Sequence, residues 1–434
     1  MRFLGIGDHC DLAALYVRLA EDGHEVKVSI DNPLCQGTLA GLVPHTTDWR
    51  GDLPWLREAG REGIILFENV AKNRGALQDT LRKDGFNVIG GSAYGDRLEN
   101  DRAYAQQVLA DAGLFIARVW EFAERSAGIA FIENHPARYV LKFNGVDAAI
   151  DNYVGRLSDG RDVRAILSKL ERAEALQSSF ILMEHIEGVE MGVGAYFDGA
   201  KFLTPACLDW EHKRFFPGDL GELTGEMGTV VTYERSARFF ERTLGRVEAL
   251  LRENGHRGYV NLNTIVNEDG VWPLEFTCRF GYPGFAILSP LQETPWAALL
   301  AAMAHGSDTV FQTNPGFSVG IVLTIPPFPY PRSQVSEPIG LPVIFDGEIS
   351  ENDRRHLHYC EVGLDHGQLV TSGHYGWSMV VTGVGDTIAA AQQQAIQLAD
   401  RVLIPNVRYR RDIGDRLIFG EYACLEELGV LDGI

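Results

Sequence analysis

The segment Trp272-Pro-Leu-Glu-Phe-Thr-Cys-Arg-Phe-Gly-Tyr-Pro283 carries one carboxylate, Glu275, inside an apolar stretch and then turns through an Arg279-Phe-Gly281 elbow. A carboxylate enclosed by apolar neighbours is costly unless a cation or a hydrogen-bond donor meets it. Glu275 is therefore a candidate magnesium ligand, the alternative being an ion pair with Arg279 in an ordinary sheet. The preceding stretch Gly258–Val266 reaches a turn at Asn267-Glu-Asp-Gly270, so the two segments read as the arms of a β-hairpin. Such arms present carboxylate and amide oxygens, which suit a hard cation beside phosphates. Two short basic clusters, Glu211-His-Lys-Arg214 and Arg408-Tyr-Arg-Arg411, have the size to serve one phosphate or carboxylate, or to form a solvated face.

These groups need elements to position them. Residues 2–6, 25–30, 64–67 and 87–89 read as short apolar strands, with helices over Leu12–Glu21 and Gly75–Lys83 between them. That alternation predicts a parallel sheet covered by helices, ending near residue 98 after the Gly90-Gly91 break. A helix follows over 100–111, then strands at Tyr139–Lys142 and Phe180–Glu184 flanking a loop and a charged helix, Val163–Leu176. Further strands are expected at Val189–Phe197 and Lys201–Ala206, a charged glycine-containing loop from Asp209 to Gly228, and helices over Ala237–Glu253 and Pro295–His305. Beyond a boundary near 315 the pattern is β-rich, with Trp377–Thr382 and a helix from Thr387 to Leu403. The expected domains are thus 1–98, 99–315 with a lid-like part at about 118–187, and 316–434.

At 434 residues the chain exceeds one compact core, so several domains are expected. A formal net charge of −20 argues against a general nucleic-acid surface, because that affinity rests on Lys and Arg neutralising phosphates. Six dispersed cysteines show neither Cys-x-x-Cys nor zinc spacing and suggest reduced thiols in a cytoplasmic protein. The first residues lack a signal-peptide core, and no apolar run approaches the roughly 20 residues that span a bilayer, so no membrane partner is expected.

Four ordered strings resemble the glycinamide ribonucleotide synthetase (phosphoribosylamine–glycine ligase) family of the ATP-grasp superfamily. They are Leu274-Glu-Phe-Thr-Cys-Arg-Phe-Gly281 against E-F-N-x-R-F-G-D-P-E, Glu211-His-Lys-Arg214 against D-H-K-R, Thr224-Gly-Glu-Met-Gly228 against T-G-G-M-G, and Arg411-Asp-Ile-Gly414 against R-x-D-I-G. The resemblance implies an α/β protein with an ATP-grasp fold, an N-terminal Rossmann-like parallel-sheet domain and a C-terminal β-rich domain. It further implies an ATP-dependent ligase that joins a small-molecule amine to an amino-acid carboxylate through an acyl phosphate, as a monomer or homodimer, with ATP and Mg²⁺ or Mn²⁺. On that resemblance Lys142 and Arg102 meet phosphates, Glu184 lies where backbone reads adenine, and Glu190 takes the ribose hydroxyls. Arg102 on its own also reads as a helix-surface charge, and the two acids as strand-edge groups. Glu275 with Thr277 and Asn263 would hold the metal, and Lys213, Arg214 and Arg279 would serve catalysis, Lys213 also touching nucleotide. Gly7, Asp8, Glu211, His212, Thr224, Gly225, Arg279, Arg411 and Asp412 would bind substrates.

The chain also departs from the family. The segment Phe143–Tyr153 lacks the family's second lysine and carries Asp147 and Asp151, which repel a triphosphate unless a metal is bound. Thr277 replaces the asparagine that in the family gives the metal an amide oxygen, a place Asn263 or Asn261 on the partner strand could fill, or those two are hydrogen-bonded to backbone as buried asparagines commonly are. These departures leave open a relative that binds nucleotide or metabolite without turnover. The first turn, Gly5-Ile-Gly-Asp-His-Cys-Asp11, keeps two glycines but adds acids where the resemblance implies a phosphate cradle, which points to an altered amine; Asp8 or Asp11 reads equally as a helix cap. His212 is the histidine that a family string carries, while His9 and His374 read as surface or packed side chains.

Overall fold

The computed structural model describes residues 1–68, 74–143, 153–169, 179–306, 310–335 and 338–433. The chain forms two compact units, one comprising Met1–Val108, Glu190–Thr264 and Leu274–Ile434, the other Leu109–Val189 with Ile265–Pro273. The lid-like stretch 118–187 falls within the second unit.

The first unit opens with β1 (Arg2–Gly7), β2 (Glu25–Ile30), β3 (Gly63–Phe67) and β4 (Asn87–Ile89), ordered β2-β1-β3-β4 and parallel throughout. Its strands are apolar on both faces: Phe3, Ile64 and Leu66 enter one core cluster, and Leu4, Ile6, Ile65 and Phe67 enter another. Burial of both faces explains why these strands read as apolar runs without polar alternation. The helix Ala13–Glu21 begins after Leu12 with no side-chain cap, so neither Asp8 nor Asp11 plays the capping role open to it in the sequence.

The second unit carries β5 (Val119–Phe122), β6 (Tyr139–Phe143), β7 (Tyr153–Val154) and β8 (Phe180–Glu184), an antiparallel sheet in the order β5-β8-β6-β7. Helices Arg125–Asn134 and Arg161–Lys169 accompany it, and Ile132, Tyr139, Leu141, Val163, Leu167, Phe180 and Leu182 form its core. The helix expected over 163–176 starts at Arg161, and its part beyond Lys169 lies outside the described residues. Asp147, Asp151 and residues 69–73 also lie outside them.

The largest sheet belongs to the first unit apart from its hairpin tip. Its strands are drawn from β9 (Val189–Phe197), β10 (Phe202–Glu211), β13 (Gly228–Thr232), β14 (Gly258–Asn267), β15 (Gly270–Thr277), β16 (Phe317–Thr324), β18 (Leu357–Tyr359) and β21 (Trp377–Gly385). The order is β15-β14-β9-β10-β13-β16-β21-β18. Strands beyond residue 315 thus complete this sheet. The remaining strands pair separately: β11 (Arg214–Phe216) with β12 (Leu220–Leu223), β17 (Ile344–Phe345) with β22 (Val402–Leu403), and β19 (Val362–Asp365) with β20 (Gln368–Thr371). Two expectations need correction. The stretch 209–228 is not a plain loop, because β10 runs to Glu211 and β11–β12 form a hairpin turned by left-handed Gly218, Asp219 and Gly221. The helix expected over Ala237–Glu253 breaks at Thr243, whose hydroxyl donates to the Phe239 carbonyl and whose backbone leaves the helical region (φ −125°, ψ −99°).

Backbone pairing brings the short strings together. His212 N–H donates to Gly228 O (2.9 Å), Met227 N–H to His212 O (2.8 Å), and both Thr224 N–H and its hydroxyl to Lys213 O (2.8 and 2.7 Å). The buried His212 ring accepts the Gly414 N–H at Nε2 (3.1 Å), leaving Nδ1–H to donate to Trp210 O (3.2 Å). Arg410, 1% exposed, clamps the same region by donating to Asp412, Asp219 and the Arg214 carbonyl. Burial, reinforced by Arg416 and Arg410, lowers the His212 pKa to about 4.

A histidine neutral when folded but titrating near 6.5 when unfolded contributes stability that is complete above 6.5 and is lost as pH falls toward 4. The unfolding free energy of the native chain minus that of His212→Gln should therefore shrink by about 2–3 kcal/mol between pH 7 and pH 4, measured by urea titration. Phe180→Ala should cost the second unit about 3–5 kcal/mol and give it a separate, earlier unfolding transition.

Candidate functional site

Within the first unit a cleft of about 990 Å³, its open mouth included, is bounded by β10, β13, β14 and β15 and by the segment after β15. Its walls carry Asp11, Asp209, Glu211, Glu226 and Glu275 together with Lys213 and Arg279, flanked by Tyr259, Tyr282 and Trp377. Strand alternation explains part of this: Asp209 and Glu211 are two residues apart on β10 and so point to the same face.

Lys213 organises the wall. Its ammonium lies 3.0 Å from Glu211 Oε2, 3.2 Å from Glu190 Oε1 and 3.8 Å from Glu275 Oε1. Burial opposes its charge, but Glu211, Glu190 and Glu275 outweigh burial and hold its pKa well above the ordinary lysine value. Glu275 is 44% exposed, not buried as its apolar surroundings in sequence suggest, and Arg102 Nη2 approaches its other oxygen at 3.6 Å. Nor does it pair with Arg279, which binds Glu99 instead (Nη2–Oε1 3.0 Å, Nε–Oε1 3.1 Å) while Glu99 Oε2 accepts the Cys278 N–H. Asn263 donates to Glu190 (2.8 Å), and its amide oxygen accepts the Thr264 N–H; Thr277 lines the cleft. Among the described residues, no three His, Cys, Asp or Glu side chains stand close enough together to hold a metal ion.

The structure brings Lys213, Glu211, Gly225, Glu275, Thr277 and Arg279 into one cleft. Arg214 instead holds the β11–β12 hairpin by donating to Gly221 O (2.9 Å), and Arg411 pairs with Asp400 on an exposed surface. Asp412 accepts from Arg410 and from Gly218 N–H, so it serves the clamp. Thr224 and His212 fix the backbone beneath the cleft wall. Lys142 stands on β6, in register with Ile181 of β8, and Glu184 ends β8 with its N–H donated to Arg118 O and its carboxylate 3.8 Å from Arg118.

At the first turn the acids meet internal partners. Arg74 donates to Asp8 (2.9 Å) and Asp31 (2.7 Å). Glu68, 2% exposed at the end of β3, accepts the Cys10 N–H at Oε2 (3.1 Å) and the Leu12 N–H at Oε1 (3.4 Å). A Cβ on Gly7 would lie 1.7 Å from Glu68 Oε2, so glycine is what lets this carboxylate reach the turn. Burial, then Asp11, raise the Glu68 pKa.

Three groups in or beside the cleft escaped sequence reasoning. Asp209 and Glu226 are 6% and 5% exposed, and burial, then repulsion from Glu211, raises both pKa values. Their signals were present: Asp209 precedes Glu211 by two in a strand, and Glu226 stands where the family string T-G-G-M-G has glycine. Glu361 had no such signal. Its carboxylate accepts the N–H groups of His374, Tyr375, Gly376 and Trp377, fixing the loop that carries Trp377 into the cleft.

Comparison with known proteins places these features in context. Residues 100–285 match the family model of the phosphoribosylglycinamide synthetase ATP-grasp (A) domain. The phosphoribosylamine–glycine ligase of Pseudomonas aeruginosa is 29% identical over 357 residues, covering 79% of this chain and 80% of its own length. That of Haemophilus influenzae is 27% identical over 433 residues, covering 96% and 99%. The crystal structure of phosphoribosylamine–glycine ligase from Thermotoga maritima superposes with a TM-score of 0.69 at 22% identity, covering 95% of this chain and all of that one, and so supports the fold. A biotin carboxylase domain of the Hydrogenobacter thermophilus 2-oxoglutarate carboxylase, in complex with MgADP and bicarbonate, gives 0.64 at 11% identity, covering 100% of this chain and 99% of that one. The chain thus contains a segment, residues 100–285, that matches the phosphoribosylglycinamide synthetase ATP-grasp domain, and over most of its length it is similar to phosphoribosylamine–glycine ligases in sequence and fold.

Proposed function

We infer that the protein is an ATP-dependent carboxylate–amine ligase. A carboxylate oxygen of the acceptor acid attacks the γ-phosphorus of ATP and ADP leaves; the amine nitrogen then attacks the acyl carbon, phosphate leaves, and the nitrogen sheds a proton. Both steps depend on neutralising and positioning phosphoryl charge. The observation that carries this reading is the Lys213 ammonium held among Glu190, Glu211 and Glu275 in the cleft that Arg279 also lines. Lys213 and Arg279 are suited to receive the acceptor carboxylate and the phosphoryl oxygens formed from it. Lys142 and Arg102 supply cations for the triphosphate, Glu190 an acceptor for ribose hydroxyls, and the end of β8 at Glu184 a backbone edge for adenine.

Glu275 and Thr277 offer hard oxygen donors on the cleft wall and fit magnesium, whereas the Asn263 oxygen is already committed to a backbone N–H. A bound magnesium ion would neutralise phosphate oxygens and strengthen the leaving group. Glu275 must then exchange its contacts with Lys213 and Arg102 for the ion. The amine and acceptor remain classes here: a small-molecule amine and an amino-acid carboxylate.

Release of ADP and phosphate should require an acid and an amine together; absence of stimulation by glycine or by any amino-acid and amine mixture would refute the ligase reading. Glu275→Ala and Lys213→Met should each lower turnover roughly 100-fold or more, the scale of losing a group that stabilises transition-state charge. Near-native turnover in Glu275→Ala would remove Glu275 from the metal site.

A further inference from the structure

The ligase reading leaves the amine open, and resting on that reading, the cleft and the first turn narrow it. Five carboxylic side chains line the cleft against two cations, and Arg279 is already paired with Glu99. Asp209 Oδ2 is held by Asn261 Nδ2 at 2.6 Å, and Gly192 leaves room for its other oxygen, which a Cβ there would meet at 2.2 Å. Glu226, 5% exposed, has no hydrogen-bond partner at Oε1 among the described residues and faces the same cleft. A buried carboxyl oxygen left unmet is costly, so a site that keeps one gains by receiving a donor. An ammonium group supplies three donors. A carboxylate ligand would instead add to the repulsion among Glu226, Glu211 and Asp209.

The first turn is closed to a phosphate. The Cys10 and Leu12 N–H groups, the donors such an anion would use, are taken by Glu68, and Asp8 and Asp11 stand beside them. A phosphate there would have to displace a buried carboxylate and then face its charge.

We propose that the amine substrate is a phosphate-free cationic amine whose ammonium group docks on Glu226 and Asp209. Glu226, in place of the glycine of the family string, is then a specificity-determining residue. Asp209 completes the seat, held in place by Asn261.

The test is isothermal titration of the full chain with 1,4-diaminobutane, phosphoethanolamine and glycine in turn, in the native chain and in Glu226→Gln and Glu226→Gly, with circular dichroism to verify folding. The second variant restores the glycine of the family string and keeps the test open if the first fails to fold. The expected result is that diaminobutane binds the native chain at least tenfold more tightly than phosphoethanolamine does, and that either variant weakens diaminobutane tenfold or more. Phosphoethanolamine binding as tightly as diaminobutane, diaminobutane binding unchanged in both variants, or glycine binding in a Glu226-dependent way without diaminobutane would each overturn the proposal. Because these readouts need no turnover, Glu226-dependent diaminobutane binding with no ADP release from any acid and amine pair would refute the ligase reading and leave the ammonium seat standing.

Discussion

Lys213 is one ammonium set against Glu190, Glu211 and Glu275, and the geometry around the cleft follows from keeping it there. An uncompensated charge at a half-buried position is costly, and removing one partner of such a group strands the others. The backbone that carries Lys213 is accordingly tied on several sides. Its own carbonyl is held by Thr224, and the neighbouring His212 is bonded through its backbone to Met227 and Gly228 and through its ring to Gly414. Segments some 200 residues apart in the chain are thus fastened to the same short stretch, with Arg410 reinforcing the fastening through Asp412 and Asp219.

The same logic recurs at two other buried carboxylates. Glu361 is enclosed, yet four consecutive backbone N–H groups meet its oxygens and thereby fix the loop that presents Trp377. Glu68 is enclosed and meets the N–H groups of the first turn. Glu226 departs from this pattern, with a buried oxygen that no described residue meets with a hydrogen bond. Native proteins leave few such groups, and those that remain call for a functional account. An active cleft that binds a cation is the setting in which an unmet carboxylate is of use.

Several side chains that the sequence singles out have partners that sequence proximity does not suggest. Arg411 lies in a family string, but its neighbour Arg410 is the buried clamp, because the side chain pointing inward can meet Asp219, Asp412 and a carbonyl at once. Arg214 follows Lys213 directly but is the first residue of β11, and its side chain donates to the Gly221 carbonyl of the β11–β12 hairpin. Arg279 pairs with Glu99, and Glu275 with Lys213 and Arg102, although sequence proximity made Arg279 and Glu275 natural partners.

The sequence by itself determined the parallel N-terminal sheet, the Gly258–Asn267 and Gly270–Thr277 hairpin, and the presence of Lys213, Glu211, Glu275 and Arg279 as a chemically coherent set, because period, turn residues and short strings are local properties. Tertiary structure alone decided which of these side chains share a cleft, which acids stay buried there, and which arginine faces inward. Such outcomes depend on contacts between residues far apart in the chain, where burial and pairing set the energy of a charge, and no local pattern records them.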